Sequence, residues 1–284
     1  MRADGIRIKA ADPMYHLIPY FLTKRYDAMN MVTLDIPEAP LREYMNKKRK
    51  EGRRMSHMAL LICAYLRAME EYPAVNRFIA ADKKAYQHND ITVSMVVLRP
   101  GSGGGDTMSK IYLEPGDTIF EVQEKIENYV NTNREAANEN SLDKIMSVIT
   151  RMGWLMGLAT ALLRFMDRFG LLPKSIIQAS PFHASLLVSN LASIRCNHIY
   201  HHVYEFGTTS IAITMGNLRE VPKRTKDGGI DLVRCIPLGV VMDERIASGH
   251  YLNLAFACMK RYLSNHELIE KKSTPKFDPT KPEM

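Results

Sequence analysis

Apolar positions along this chain follow two periods, and the change of period marks the elements. Met29 to Ile36 (MNMVTLDI) alternates as a half-buried strand does, and Ile91–Leu98 and Met108–Leu113 read as further strands. His183–Asn190, Thr208–Met215 and the apolar run Leu232–Met242 give three more. A short pair partner is expected at Ala85–Tyr86, turned by His88-Asn89-Asp90. Helical spacing appears near Pro19–Asp27, over Leu41–Glu51, and from a Ser56 cap to Glu71 before Pro73. Asp117 or Thr118 caps a helix with Ile119, Val122, Ile126 and Tyr129 on one face. Asn131–Asn140 reads as a polar connector. A long Met-rich helix is expected from Ser141 to Phe169, stopped by Gly170 and Pro173. A last helix starts near His250 and carries Leu252, Phe256, Met259 and Leu263 on one stripe.

The order predicts one mixed α/β domain over 1–266, followed by a polar tail at 267–284 that is disordered from about Lys271. There are no internal repeats. Of the 284 residues 46% are hydrophobic, enough for one large core. The longest apolar stretch, Met152 to Leu163, is closed by Arg151 and Arg164, which predicts a buried helix and no membrane span. MRADGIRIKA lacks the apolar core of a signal peptide. Cys63, Cys196, Cys235 and Cys258 lie far apart and fit reduced thiols in a cytoplasmic protein.

The net charge of +7 is concentrated in two runs, Lys47–Lys50 with Arg53-Arg54, and Lys223-Arg224 with Lys226. Both suit an anion, yet no aromatic interleaving accompanies them. They read as solvated faces, with no nucleic-acid partner. Pro100–Asp106 (PGSGGGD) is not followed by Lys-Ser/Thr or a helix, so it is a hairpin tip and not a phosphate loop.

Chemistry is expected where polar residues sit between two buried elements. Asp243-Glu244-Arg245-Ile246-Ala247-Ser248-Gly249 joins the Leu232–Met242 strand to the last helix. On spacing alone it is equally a solvated turn. This segment resembles the D-H-R-x-x-x-D-G signature of the dihydrolipoyl acyltransferase catalytic domains of 2-oxoacid dehydrogenase complexes. It is similar also to the H-H-x-x-x-D-G of chloramphenicol acetyltransferases. Asp, Arg and Gly match; the catalytic histidine falls on Glu244 and the aspartate on Ser248. Lys24-Arg25 resembles the family's "KRM", and Tyr72-Pro73-Ala74-Val75-Asn76 its "HPxxN".

The resemblance implies a two-layer α/β sandwich and a homotrimer with each site shared by two subunits. It implies acyl-CoA as the donor substrate, a small thiol, hydroxyl or amine as acceptor, and neither a metal nor a membrane partner. The sequence carries no lipoyl or subunit-binding module, so a stand-alone protein is expected. Ser189 falls where a family serine donates to the tetrahedral oxyanion, with Asn190 beside it. Arg245, Ser248, Gly249 and His250 are expected around the substrate. The family arginine that pairs with the lost aspartate falls on Pro19 or Tyr20, so both partners are missing together. Cys196, His198, His201 and His202 form the densest cluster of ligand-type residues, though without a recognised zinc spacing. With the family histidine replaced, the base is expected among His201, His202 and Glu244, the histidines first because they need no pKa shift. The other outcome is a non-catalytic trimeric relative that binds or scaffolds.

Overall fold

The computed structural model describes residues 2–8, 13–98, 106–135 and 153–273. The Gly-rich stretch at 100–105, the first half of the expected long helix at 141–152, and the tail from 274 lie outside them.

Strand β10 (Ile230–Asp243) is the spine of the protein. From Cys235 to Asp243 it pairs antiparallel with β2 (Met29–Pro37), and from Leu238 to Met242 with β8 (Ile211–Met215). The sheet continues through β7 (Leu186–Asn190), β5 (Ile91–Leu98) and β6 (Asp106–Leu113), with β7 parallel to both its neighbours. The first half of β10 leaves this sheet and forms a two-stranded ribbon with β9 (Arg219–Arg224). A separate three-stranded sheet joins β1 (Gly5–Arg7), β4 (Ala85–His88) and β3 (Arg77–Ile79).

Side-chain alternation splits the large sheet into two faces. Leu34, Val93, Leu186, Val188, Ile213, Leu238 and Val240 belong to the main core, covered by α3 (His57–Glu71), α4 (Ile119–Glu135) and α7 (Gly249–Ser264). Leu252, Phe256, Met259 and Leu263 bury the inner stripe of α7, each side chain contributing about 1.5–3 kcal/mol. α2 (Glu38–Lys50) packs against α7 and β10. The other face carries only a small cluster, Leu187, Ala212 and Val241 with Val203 laid across them. The fold is thus a mixed α/β sheet with α2, α3, α4 and α7 on one side.

Local signals read from sequence hold in several places. Ser56 Oγ accepts from Ala59 N at 3.1 Å, capping α3. Thr118 and Glu121 form a reciprocal capping box at α4. Other boundaries move. α1 covers Met14–Phe21 and not Pro19–Asp27; Lys24 and Arg25 follow it in a loop. Asn131 to Glu135 extends α4 where a connector was expected, because nothing before 135 breaks the helix. The start of the expected tail is tied to the domain at two points: Ile269 is fully buried, and the Arg67 guanidinium donates to Lys271 O at 3.0 Å.

The largest departure is α5 (Gly153–Phe169). Its apolar residues were expected inside, yet Trp154, Leu158, Leu162, Phe165 and Phe169 are 55–72% exposed. Burial needs a facing surface, and among the described residues only the C-terminal end of the helix has one, at Asp167. No helix among the described residues is long and apolar enough to cross a membrane.

Candidate functional site

The loop after β10 is held from within. Asp243 is fully buried and grips Arg245 three times, through its backbone N (3.1 Å), Nε (2.8 Å) and Nη2 (2.7 Å). Arg25 Nε lies 3.5 Å from Oδ2 of the same carboxylate, the oxygen that Arg245 Nη2 also holds, and its Nη1 donates to Gly207 O at 3.2 Å and to Tyr204 O. Two guanidinium groups therefore share one buried carboxylate. The backbone carbonyls at 204 and 207 and, on the Arg25 backbone N–H, the Glu205 carboxylate (2.8 Å) satisfy more of the donors. By the resemblance, the family's loop-holding arginine falls on Pro19 or Tyr20, neither of which can form an ion pair with a carboxylate. The structure supplies Arg25 from the next loop, paired with Asp243 rather than with residue 248.

Ser248 is free for another task. Its Oγ accepts from Tyr251 N at 3.1 Å and caps α7. Gly249 opens the helix, and a Cβ there would meet nothing within 4 Å. His250 is exposed at the first turn. Glu244 is half-buried; its N–H donates to Ala28 O at 2.9 Å and its Oε2 accepts from Asn30 Nδ2 at 2.6 Å.

Ser189 lies on the side of the sheet away from the helices, because it shares parity with Leu187. It is in register with Thr214, which faces Gly239, which faces Thr33. Glu244 follows Gly239 by five residues, so the two ends of the site are separated by roughly 16 Å along the strand. One chain does not bring Ser189 and Glu244 together. Asn190 turns the chain after Ser189, its Oδ1 accepting from Ser193 N at 3.3 Å.

The histidine segment crosses this face as a strap. Ile199 N donates to Thr214 Oγ1 at 3.1 Å, and Thr214 Oγ1 donates back to Ile199 O. The crossing is close enough to require glycine below it. A Cβ on Gly216 would sit 2.1 Å from His198 N, and one on Gly239 2.2 Å from Ile199 O. His198 Nε2 lies 3.1 Å from Thr33 Oγ1, itself 2.6 Å from Tyr200 OH. Burial and the nearby Arg219 lower the His198 pKa, and its buried Nδ1 has no hydrogen-bond partner among the described residues. His201 and His202 stack on each other with ring centres 4.9 Å apart, beside Tyr204 at the surface. Cys196 is exposed, and the four residues do not converge on a metal.

The cleft beside the loop is not legible in the sequence. It encloses about 530 Å³ and is lined by Arg2, Lys24, Lys83, Arg164, Arg168 and Arg245, against Asp167 and Glu205. Its cations come from separate stretches of chain, so no basic run marks it. Burial and the charges of Arg245 and Lys24 push the Lys83 ammonium below its ordinary range, evidence of a positive field. Under one wall Arg2 bridges Asp4 (2.8 Å) and Asp167 (3.1 Å), and His183 Nε2 lies 3.3 Å from Asp167. Arg2 already neutralises this carboxylate pair.

In sequence, no protein-family model matches the chain and no curated protein does. In structure it is similar to a probable dihydrolipoamide acetyltransferase from Listeria monocytogenes, with a TM-score of 0.58 and 15% identity over 96% of this chain and 99% of that one. The cubic core of the pyruvate dehydrogenase multienzyme complex gives 0.59 and 12%, over 92% and 94%. A chloramphenicol acetyltransferase gives 0.52 and 11%, over 91% and 99%. With its spine strand, capped last helix and crossing strap, the chain has the fold of dihydrolipoamide acetyltransferase catalytic domains and of chloramphenicol acetyltransferase.

Proposed function

We infer that the chain is an acyltransferase-like protein that moves an acyl group from acyl-CoA to a small thiol, hydroxyl or amine, in the cytoplasm. It works as a homotrimer whose site joins two subunits. One observation carries this reading. Ser189 stands in register with Thr214 and Gly239, about five residues of strand from the rigidly held loop at 243–249, so a site that uses both needs a second copy.

In such a site Ser189 Oγ donates to the oxygen that becomes negative when the thioester carbonyl is attacked. A base takes the proton of the attacking thiol, hydroxyl or amine as its lone pair bonds to the carbonyl carbon. Collapse of the tetrahedral intermediate breaks the carbon–sulfur bond, and the CoA thiolate receives the proton. His201, His202 and Glu244 are the candidate bases. Asn190, Arg245, Ser248, Gly249 and His250 frame the site, Arg245 through its buried pair with Asp243. No metal takes part in this scheme.

The second reading is a trimeric binding or scaffolding protein. It is favoured by Glu244, a carboxylate in the base position whose Oε2 is already engaged by Asn30. Mass-spectrometric screening of the purified protein against a panel of acyl-CoAs separates the two. Turnover that falls about 10²–10³-fold in Ser189→Ala supports transfer, and no turnover with any donor supports the second reading. Alanine at both His201 and His202 should cost about 10²–10⁴-fold if they supply the base, with Glu244→Gln costing less; the reverse order assigns the base to Glu244. Light scattering that shows a monomer at micromolar concentration overturns the shared site.

A further inference from the structure

α5 is about 25 Å long at the usual rise, and one side of it is apolar and without a partner among the described residues. At about 100° per residue, Trp154, Phe165, Leu158, Phe169 and Leu162 fall within one quadrant of the helix. All five are more exposed than buried, and the Phe165 and Phe169 rings lie 4.6 Å apart. A contiguous exposed patch of this kind is uncommon on a soluble surface without an occupant. Arg164 and Arg168 fall on the flank of that quadrant and line the basic cleft, together with Arg2, Lys24, Lys83 and Arg245.

These two features share one helix and ask for one kind of surface, apolar under the stripe and anionic beside it. A second copy of the same helix fits poorly. Isologous pairing would set Arg164 and Arg168 against their own copies, and a heterologous threefold contact would have to find an anionic face for them on a chain of net charge +7. An amphipathic helix with Trp, Leu and Phe on one side and Arg at the edge matches the boundary between headgroups and acyl chains of a bilayer. We propose that α5 anchors the protein to the surface of an anionic membrane, its stripe seated among the acyl chains and the exposed Arg164, Arg168 and Lys24 on lipid phosphates. This departs from the sequence expectation of no membrane partner, since the helix lies on the bilayer and does not span it. It does not rest on the acyltransferase reading.

Trp154 is the chain's single tryptophan, so the stripe carries its own reporter. The test floats the full-length protein with vesicles of phosphatidylcholine alone or mixed equally with phosphatidylglycerol, and follows its emission. The expected result is co-flotation and a blue shift with the anionic vesicles, weakened at 0.5 M salt. Arg164→Gln with Arg168→Gln should weaken partitioning about 30-fold, at about fivefold for each cation. Leu158→Asp with Leu162→Asp should abolish it. All four residues are exposed, so unchanged far-UV circular dichroism checks the fold of each variant. Absence of flotation on both vesicles overturns the proposal, and so does equal flotation on both. A blue-shifted emission without lipid that depends on protein concentration, reversed by the double aspartate variant, assigns the stripe to a second copy and also overturns it.

Discussion

Arg25 Nε stands 3.5 Å from Asp243 Oδ2, with both side chains almost wholly withdrawn from water. The loop that presents Glu244 is fixed by this contact and by the Arg245 fork on the same carboxylate. Removing the shared anion leaves two buried guanidinium groups unpaired. Asp243→Ala should therefore cost about 3–5 kcal/mol, read from urea unfolding. Arg25→Met should cost less, because Arg245 still neutralises Asp243.

Ser248 acts as a helix cap, whatever its family counterpart does. Ser248→Ala should lose about 1 kcal/mol, and Ser248→Asp should lose almost nothing, since aspartate caps as well as serine. Thermal melting of the two variants measures this difference. Equal losses would mean that the hydroxyl is held for another purpose.

Gly239 and Gly216 let the strap pass over the sheet. Gly239→Ala puts a methyl group 2.2 Å from Ile199 O and 2.9 Å from Thr214 Oγ1, so strap and strand must part. A destabilisation of about 1–3 kcal/mol is expected from the overpacking. Any acyl transfer that depends on His201 and His202 should fall with it. Gly249→Ala, where a Cβ meets nothing, should leave stability within about 0.5 kcal/mol of the unmodified protein.

His88 supplies an acid-sensitive point. Burial pushes its pKa down from 6.5 to about 4, while its Nδ1–H donates to Asn76 O and its Nε2 accepts from Thr208 Oγ1, each at 3.0 Å. The folded chain keeps this imidazole neutral, but the unfolded chain protonates it below pH 6.5. The unfolded state thus binds more protons between pH 6.5 and about 4, and stability falls as pH drops through that window. Asp167, held below its ordinary range by His183 and Gly207 N–H despite its burial, adds a loss of the same sign at lower pH. Urea midpoints at pH 7, 5.5 and 4 should fall in that order. His88→Gln should flatten the slope between the first two.

Local chemistry determined much of this protein by itself. The strand periods at Met29–Ile36, Ile91–Leu98 and Leu232–Met242, the Ser56 cap and the Thr118–Glu121 box could be read from neighbours a few residues apart. The α7 stripe and the resemblance of 243–249 to an acyltransferase loop were legible for the same reason. Tertiary structure decided whatever depends on residues distant in the chain. Arg25 has no local sign of a buried partner, and only the fold sets it against Asp243, more than two hundred residues later. The basic cleft draws Arg2, Lys83 and Arg164 from segments with no common pattern, and a one-dimensional scan for charge runs passes over it. α5 was misread because apolar periodicity states that a face avoids water, while only the surrounding packing states whether this chain supplies the cover. Here the described chain leaves that face open.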